Sequence, residues 1–217
     1  VTVALDKPRE TRLLPRGNWL DESGPIVEPE IPEFLGELEG DDRPTRLDLA
    51  QWIVDPENPL TSRTFVNRPW KPYFGAGIAP VLDDLGAQGQ WPSNPELLDW
   101  LSTEFVESGW DVKHMVRTLV SSRAYRQSSV ARPASREADP YNRYFARQAR
   151  YRLPAELVRD TARTISGLLN ETIGGRSVYP YQPEGYYDNC NQFGAGPAQY
   201  PTEQDHQQYR RGMYTFW

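Results

Sequence analysis

The stretch from residue 92 to residue 129 carries the strongest pattern in the chain. Apolar residues recur there at the three- and four-residue spacing of helix faces, first at Leu97, Leu98, Trp100, Leu101, Phe105 and Val106, then at Val112, Met115, Val116, Leu119 and Val120. Asn94 and Pro95 are start signals for the first helix. Gly109 ends it and Asp111 caps the second, so the connection is short enough to predict an αα-hairpin.

The flanking sequence predicts further helices with weaker signals. Helix starts are predicted at Thr45, Thr61, Asp139-Pro140 and Pro154. Pro69 and Pro72 are expected to kink or end the second of these. The sequence therefore predicts a mainly α fold, with a helical domain built around the hairpin and long ordered loops between its helices.

Composition divides the chain into three regions. Residues 1–42 are rich in proline and become acidic, which predicts an extended arm. Residues 43–173 form the predicted helical core domain, and residues 174–217 are rich in glycine, proline and aromatics, which predicts an irregular segment packed on the core or on a partner. The chain starts at Val1 and ends on an aromatic run, so we expect it to be a fragment of a longer protein.

The overall charge and cysteine content exclude several functional classes. With 24 basic and 30 acidic residues the net charge is -6, which disfavours general nucleic-acid binding. No apolar run is long enough to span a bilayer. The single cysteine, Cys190, excludes an internal disulfide, a CxxCH haem attachment and a multi-cysteine metal cluster, so we expect no covalently bound cofactor in this chain.

One charged helix face offers the candidate catalytic residues. Glu156 and Asp160 lie four residues apart, as do Arg159 and Arg163, and the two carboxylates could act as acid and base. The alternative is a salt-bridge network with neighbouring arginines, which is a common role for such residues. Arg126, in the exit of the hairpin, is a further candidate for binding an anion or a hydroxyl group.

The C-terminal region offers candidates for binding a ligand or a partner. Flat amphipathic rings stack on sugars or cofactors, but they also fill gaps in irregular structure, and both interpretations stay open. The candidates are Tyr179, Tyr181, Tyr186, Tyr187, Arg210, Arg211 and Trp217. Weak candidates for metal ligation are His114, His206, Asp83 and Asp84, although capped or solvated roles are commoner for such residues.

From about Arg12 to Trp217 the chain resembles the planctomycete-specific PSD domain family, a domain of unknown function found in large exported proteins. Short motifs spread along the chain carry the resemblance: Asn58-Pro59-Leu60-Thr61-Ser62-Arg63, Val66-Asn67-Arg68, Trp70, Phe74-Gly75, Asp83-Asp84-Leu85-Gly86, Pro95-Glu96-Leu97-Leu98-Asp99-Trp100-Leu101, Glu104-Phe105, Gly109-Trp110, Ser122, Tyr125-Arg126-Gln127-Ser128-Ser129, Asp139-Pro140, Asn142, Arg152-Leu153, Ala155-Glu156, Arg159-Asp160, Ser166-Gly167, Gly174-Gly175, Ser177-Val178, Pro180, Tyr209-Arg210-Arg211 and Tyr214-Thr215-Phe216. No single motif is specific, but the set is.

The resemblance implies an extracytoplasmic protein. Members of the family lie downstream of a companion planctomycete domain, often with a haem c-binding domain ahead of both, which implies a larger assembly that includes a c-type cytochrome. Members tend to carry histidines where this chain has Pro72, Tyr73, Asn94 and Val116. A histidine-based site is therefore not expected here.

These observations favour a non-catalytic, extracytoplasmic accessory subunit or domain associated with a haem c-bearing redox partner. One alternative is a carbohydrate-active or redox enzyme domain that uses Glu156 and Asp160. The other is a glycan-binding module that uses the aromatic C-terminal segment.

Overall fold

The computed structural model describes residues 7–38, 43–183 and 201–216, and over these ranges the protein is mainly helical, as predicted. The α-helices are α1 (Arg46–Ile53), α2 (Thr61–Phe74), α3 (Pro95–Glu107), α4 (Val112–Ser121), α5 (Pro133–Ala138) and α6 (Ala155–Ser166). Short 3-10 helices lie at Pro15–Gly17, Glu33–Leu35, His206–Tyr209 and Gly212–Tyr214. No helix in the described ranges has both the length and the apolar character that a membrane span requires.

The chain divides into two compact units, Val1–Arg150 and Tyr151–Trp217. The helix α6, which the sequence places at the end of a core domain reaching residue 173, is therefore grouped with the C-terminal segment. The reason lies in its contacts, since α6 packs against the 3-10 helix Gly212–Tyr214.

The N-terminal arm of the first unit has little regular structure. One antiparallel bridge joins Arg12 to Ile26. The amide of Leu13 donates to the carbonyl of Pro25 at 2.9 Å, and the Arg12 guanidinium donates to the carbonyl of Gly24 at 3.2 Å. A Cβ at Gly24 would lie 1.9 Å from the Leu13 carbonyl oxygen, so this close approach requires glycine.

The helix α1 begins as the sequence predicts. The Thr45 side chain accepts from the amides of Leu47 and Asp48, and the Asp48 carboxylate accepts from the amide of Thr45 in return, which completes a capping box. The hydrogen bond from the Thr45 side chain, followed by the one from its amide, lowers the pKa of Asp48. The helix ends at Ile53, before Pro56.

The helix α2 does not end at either of its prolines. Leu60, not Thr61, occupies the N-cap position, and the helix continues through Pro69 and Pro72 to the left-handed Gly75. A proline inside a helix costs about 3 kcal/mol. Burial of Val66, Trp70 and Phe74 on the same helix offsets this, because each fully buried side chain of this kind contributes about 1.5–3 kcal/mol.

The core of the first unit lies between α2, α3 and α4, in which the predicted hairpin helices form at the expected positions. Its buried members are Val66, Trp70, Phe74, Ile78, Leu98, Leu101, Phe105, Met115 and Leu119. Asp111 caps α4 by accepting from the amides of Lys113 and His114. Asn94 does not cap α3 through its side chain, because its amide group donates to the Ser93 hydroxyl and the Arg143 carbonyl instead.

The loop between α2 and α3 is anchored at both ends. The buried Asn67 donates to the Ala79 carbonyl at 2.8 Å and accepts from the Ala79 amide at 3.1 Å. The Ser93 amide donates to the Ile78 carbonyl at 2.9 Å. These bonds hold the two ends of the loop, at Ile78, Ala79 and Ser93.

The helix predicted at Asp139-Pro140 is wrong. Asp139 instead follows α5 and stabilises a turn, because its two carboxylate oxygens accept from the amides of Arg143 and Tyr144. Phe145 from this turn packs edge-on against Trp70 and Phe74. The turn thus contributes a ring to the core without forming a helix.

Candidate functional site

The charged face of α6 points at the C-terminal segment of its own unit. The Asp160 carboxylate accepts from the amide of Gly212 at 2.7 Å. Arg159 donates to the carbonyls of Arg210 and Gln208 at 2.7 and 3.0 Å, and Arg163 donates to the same Arg210 carbonyl at 3.0 Å. These side chains hold the backbone of residues 208–212 against the helix, and we call this arrangement the polar clasp.

The clasp shields its members from solvent to different degrees. Arg159 and Asp160 are partly buried, and their closest nitrogen and oxygen atoms are 3.8 Å apart. Desolvation by burial lowers the pKa of the Arg163 guanidinium, against the opposing effects of Asp160 and Tyr209. An arginine remains charged in proteins, so the clasp is built from charged hydrogen bonds.

Glu156 has a different position from Asp160. It is exposed, and its backbone lies directly beneath Gly212, where an added Cβ would be 2.8 Å from the Glu156 Cβ. Of the two predicted catalytic carboxylates, Asp160 therefore serves the fold, while Glu156 lies at the edge of the same contact. Their role in proton transfer stays a prediction.

Among the described residues of the second unit, Arg210 is the most deeply buried charged residue, with 3% of its surface exposed. Its guanidinium donates to the carbonyls of Arg176, Thr172 and Gly174. It also lies over the ring of Tyr214, 4.0 Å from the ring centre. The residue predicted to bind a ligand or partner thus binds the loop of its own unit.

The apolar face of α6 is turned outwards. Leu157, Val158, Ile165 and Leu168 are 44%, 55%, 82% and 45% exposed. Thr161 lies among them, and its hydroxyl donates to the Leu157 carbonyl at 2.7 Å, which leaves its methyl group on the surface. We call Leu157, Val158, Thr161 and Ile165 the α6 stripe, whereas Leu168 follows the helix after the left-handed Gly167. A helix with one apolar stripe ordinarily buries it.

The structure describes some of the predicted ligand-binding or partner-binding residues of the C-terminal region. Tyr179 packs on Phe216 with ring centres 4.9 Å apart, whereas Tyr181 is 72% exposed. Arg211 lies 3.7 Å from Glu171 in an ion pair. The remaining predicted members, Tyr186, Tyr187 and Trp217, lie outside the described residues.

The weak metal candidates do not come together. His114 makes a hydrogen bond of 2.6 Å to Glu104, whereas His206 belongs to the other unit and packs edge-on against Tyr209. Asp84 accepts from the amide of Gly86 in a turn, and Asp83 is exposed. Across the described part of the chain, no three histidine, cysteine, aspartate or glutamate residues could together hold a metal.

Arg126 lies in the first unit, at the exit of the hairpin, and its side chain is exposed. Its neighbours bind the following loop. Gln127 donates to the Phe145 carbonyl at 2.6 Å, and Ser128 accepts from the Gln148 amide at 3.1 Å. The exit therefore positions the aromatic turn of the core, while Arg126 remains available at the surface.

Sequence reasoning missed a groove of about 590 Å³ in the first unit, which lies between the starts of α2 and α3. Its walls are mainly apolar, and one ion pair lies among them. The lining residues are Pro59, Leu60, Arg63, Leu85, Gly86, Ala87, Gly89, Gln90, Trp91, Pro92, Pro95, Leu98 and Asp99. In the sequence, only Trp91 could have indicated this groove. A single tryptophan in a loop belongs to no periodic pattern, so it did not stand out.

Comparison with known proteins identifies one family. No curated protein and no solved structure matches the chain. The model of the PSD1 family, described as a protein of unknown function (DUF1553), matches residues 45–217. The match starts at the cap of α1 and covers the rest of the first unit and the whole of the second, whereas the acidic arm lies outside it. Because it covers well over half of the sequence, the chain belongs to the PSD1 (DUF1553) family.

Proposed function

We propose that the chain is a non-catalytic, extracytoplasmic accessory domain that docks through the α6 stripe onto a haem c-bearing partner. The observation that carries the proposal is the orientation of α6, whose charged face binds its own unit and whose apolar face is exposed. An exposed apolar surface with no internal partner is typical of protein interaction sites.

The spacing of the stripe indicates what kind of surface it fits. On α6, Leu157, Thr161 and Ile165 follow one another at intervals of four residues, and Val158 lies three residues before Thr161. This is the spacing at which helices pack side by side with their knobs in each other's holes. The partner surface is therefore an apolar helix face, and the family resemblance to proteins that also carry a haem c-binding domain supplies the candidate partner.

Calorimetric titration of the chain with the purified haem c-binding domain tests this role. Val158→Asp and Ile165→Asp each place an unpaired charge in the proposed interface. Each is expected to weaken binding by about tenfold or more, since burying such a charge is strongly unfavourable. Val130→Asp, at an exposed apolar position of the first unit, is the matched control and should leave the affinity unchanged.

Two results would contradict the proposal. One is a wild-type chain that does not bind the haem domain at micromolar concentrations. The other is a complex that forms equally well with Ile165→Asp, since the stripe would then lie outside the contact.

A further inference from the structure

We propose that the groove of the first unit, between the starts of α2 and α3, binds a neutral oligosaccharide. The site is separate from the α6 stripe and does not depend on the docking role. Four features carry the inference: an exposed indole ring, an ion pair with open polar atoms, a lining whose charges balance, and a backbone held by hydrogen bonds on both sides.

Trp91 supplies the flat surface. Its side chain is 79% exposed although it lines the groove, where the other lining residues include three prolines and three leucines. A pyranose ring has one face of C–H groups, which packs on an aromatic ring, and a rim of hydroxyls, which needs hydrogen bonds. An indole beside polar groups matches both requirements.

Arg63 and Asp99 supply the polar groups. The Arg63 Nε lies 2.7 Å from Asp99 Oδ1, and its Nη1 donates to the Pro59 carbonyl at 2.7 Å. Arg63 Nη2 and Asp99 Oδ2 make no hydrogen bond to any described residue, so the ion pair keeps one donor group and one acceptor for a ligand. Adjacent hydroxyls of a sugar, each able to donate and accept, pair with such a set.

The balance of charge narrows the class of ligand. Arg63 and Asp99 are the two charged residues among those that line the groove, and they neutralise each other. An anionic ligand would meet the Asp99 carboxylate and a cationic one the Arg63 guanidinium. A proline-rich peptide would fit the apolar walls, but grooves that bind such peptides use several aromatic rings, and Trp91 is the one aromatic residue in this lining.

Hydrogen bonds hold the backbone on both sides of the groove. Asn58 is buried, donates to the Trp52 carbonyl at 3.1 Å and accepts from the Leu60 amide at 2.9 Å, which holds one wall. The Ser93 amide, bonded to the Ile78 carbonyl at 2.9 Å, holds the loop that carries Trp91. A site fixed in advance loses little conformational entropy on binding.

The test is calorimetric titration of the full chain with neutral tetra- to hexasaccharides of glucose, mannose, galactose and N-acetylglucosamine. At least one is expected to bind, and Trp91→Ala should weaken it by about tenfold or more, as for a central aromatic anchor. Asp99→Ala should weaken it several-fold. Trp19→Ala is the matched control, since Trp19 is 75% exposed in the arm, outside the groove.

Three outcomes would overturn the proposal. They are the absence of binding by every oligosaccharide at millimolar concentration, binding that survives Trp91→Ala, and tighter binding of an acidic uronic-acid oligomer or a proline-rich peptide than of any neutral sugar. Ile165→Asp is expected to leave sugar binding intact, so failure of this proposal and failure of the docking role are distinguishable.

Discussion

The two units differ in the proportion of apolar and polar side chains that they bury. In the first, α2, α3 and α4 enclose a cluster of aliphatic and aromatic side chains, in which Phe65 and Phe105 stack with ring centres 4.6 Å apart. In the second, Val178 is buried, but so are Asn170, Arg210 and Thr215. The first unit combines a large apolar core with a few buried polar side chains, whereas polar and charged side chains predominate among the described buried residues of the second.

This difference determines which surfaces of each unit remain exposed for binding. In the first unit, the apolar faces of α2, α3 and α4 are buried against one another, and a groove lies between the starts of α2 and α3. The second turns the charged face of α6 inwards, where Asp160 and Arg159 bind backbone groups, and so it leaves an entire helix face exposed. The same amphipathic pattern thus builds a core in one unit and a surface in the other.

The largest expected effect comes from matched truncations on two helices. Leu119 on α4 is 2% exposed, whereas Ile165 on α6 is 82% exposed. Leu119→Ala should lower the free energy of unfolding by about 2–5 kcal/mol, because it removes buried methyl groups and leaves a cavity. Ile165→Ala should change it by less than about 0.5 kcal/mol, as for other surface positions. Urea denaturation of the purified variants measures both.

An equal loss of stability in the two variants would contradict the difference in burial between α4 and α6. It would mean that the α6 stripe is buried in the folded chain and is not available for docking. The exposed Val130→Ala variant controls for the loss of a β-branched side chain at a solvated position.

The second prediction concerns the buried charge of the second unit. Arg210→Met would leave the carbonyls of Thr172, Gly174 and Arg176 without their donor. A hydrogen bond to a charged group contributes about 1.5–3 kcal/mol, so we expect a loss of about 2–3 kcal/mol, confined to the second unit. In native-state hydrogen exchange, this loss of stability should appear as faster exchange at the amide of Asn170, which donates to the Tyr209 carbonyl.

We expect that lysine at position 210 does not restore the stability of the second unit. Arg210→Lys keeps the charge, but a single ammonium cannot donate along the directions of a guanidinium fork and also lie over the ring of Tyr214. Exchange in α3 and α4 should stay unchanged in both variants. Equal acceleration in those helices would show that the two units unfold together.

The sequence predicted those parts of the fold that depend on local signals. Asp111 and Thr45 cap the helices that follow them, since an N-cap is satisfied by amides two or three residues away. The apolar stripes of α3 and α4 enter the core as their spacing indicates. The family was also predicted, and its model matches residues 45–217.

The rest depends on residues far apart in the chain. The partners of Arg159 lie 49 and 51 residues away, so no local pattern reveals that the charged side of α6 turns inwards. Periodicity shows that a helix is amphipathic but not which face meets the fold. The groove is lined by residues between Pro59 and Asp99, several of them in a loop whose apolar residues show no regular spacing. Neither helix propensity nor hydrophobic periodicity therefore predicts it.

The smallest expected effect is a loosening of the start of α4 at acid pH, which the start of α6 should not show. Hydrogen bonds from the His114 amide, and less strongly from that of Lys113, lower the pKa of Asp111 below its ordinary value of 3.8. A carboxylate with a lowered folded-state pKa stabilises the fold above the unfolded value, and this is lost as the pH falls through the folded value. Amide chemical shifts of Lys113 and His114, followed from about pH 5 to about pH 2, should therefore report a loosened start of α4, with no matching change at the start of α6.

Asp111→Asn provides the control for this titration. Asparagine keeps an oxygen that accepts from the same amides but cannot be protonated in this range, so the start of α4 should lose the part of its acid sensitivity that Asp111 confers. An unchanged acid response in the Asn variant would mean that other carboxylates loosen the first unit, for example Asp48 in the capping box of α1. The effect is small because the cap is exposed, whereas the core behind α4 is made of apolar side chains that do not titrate.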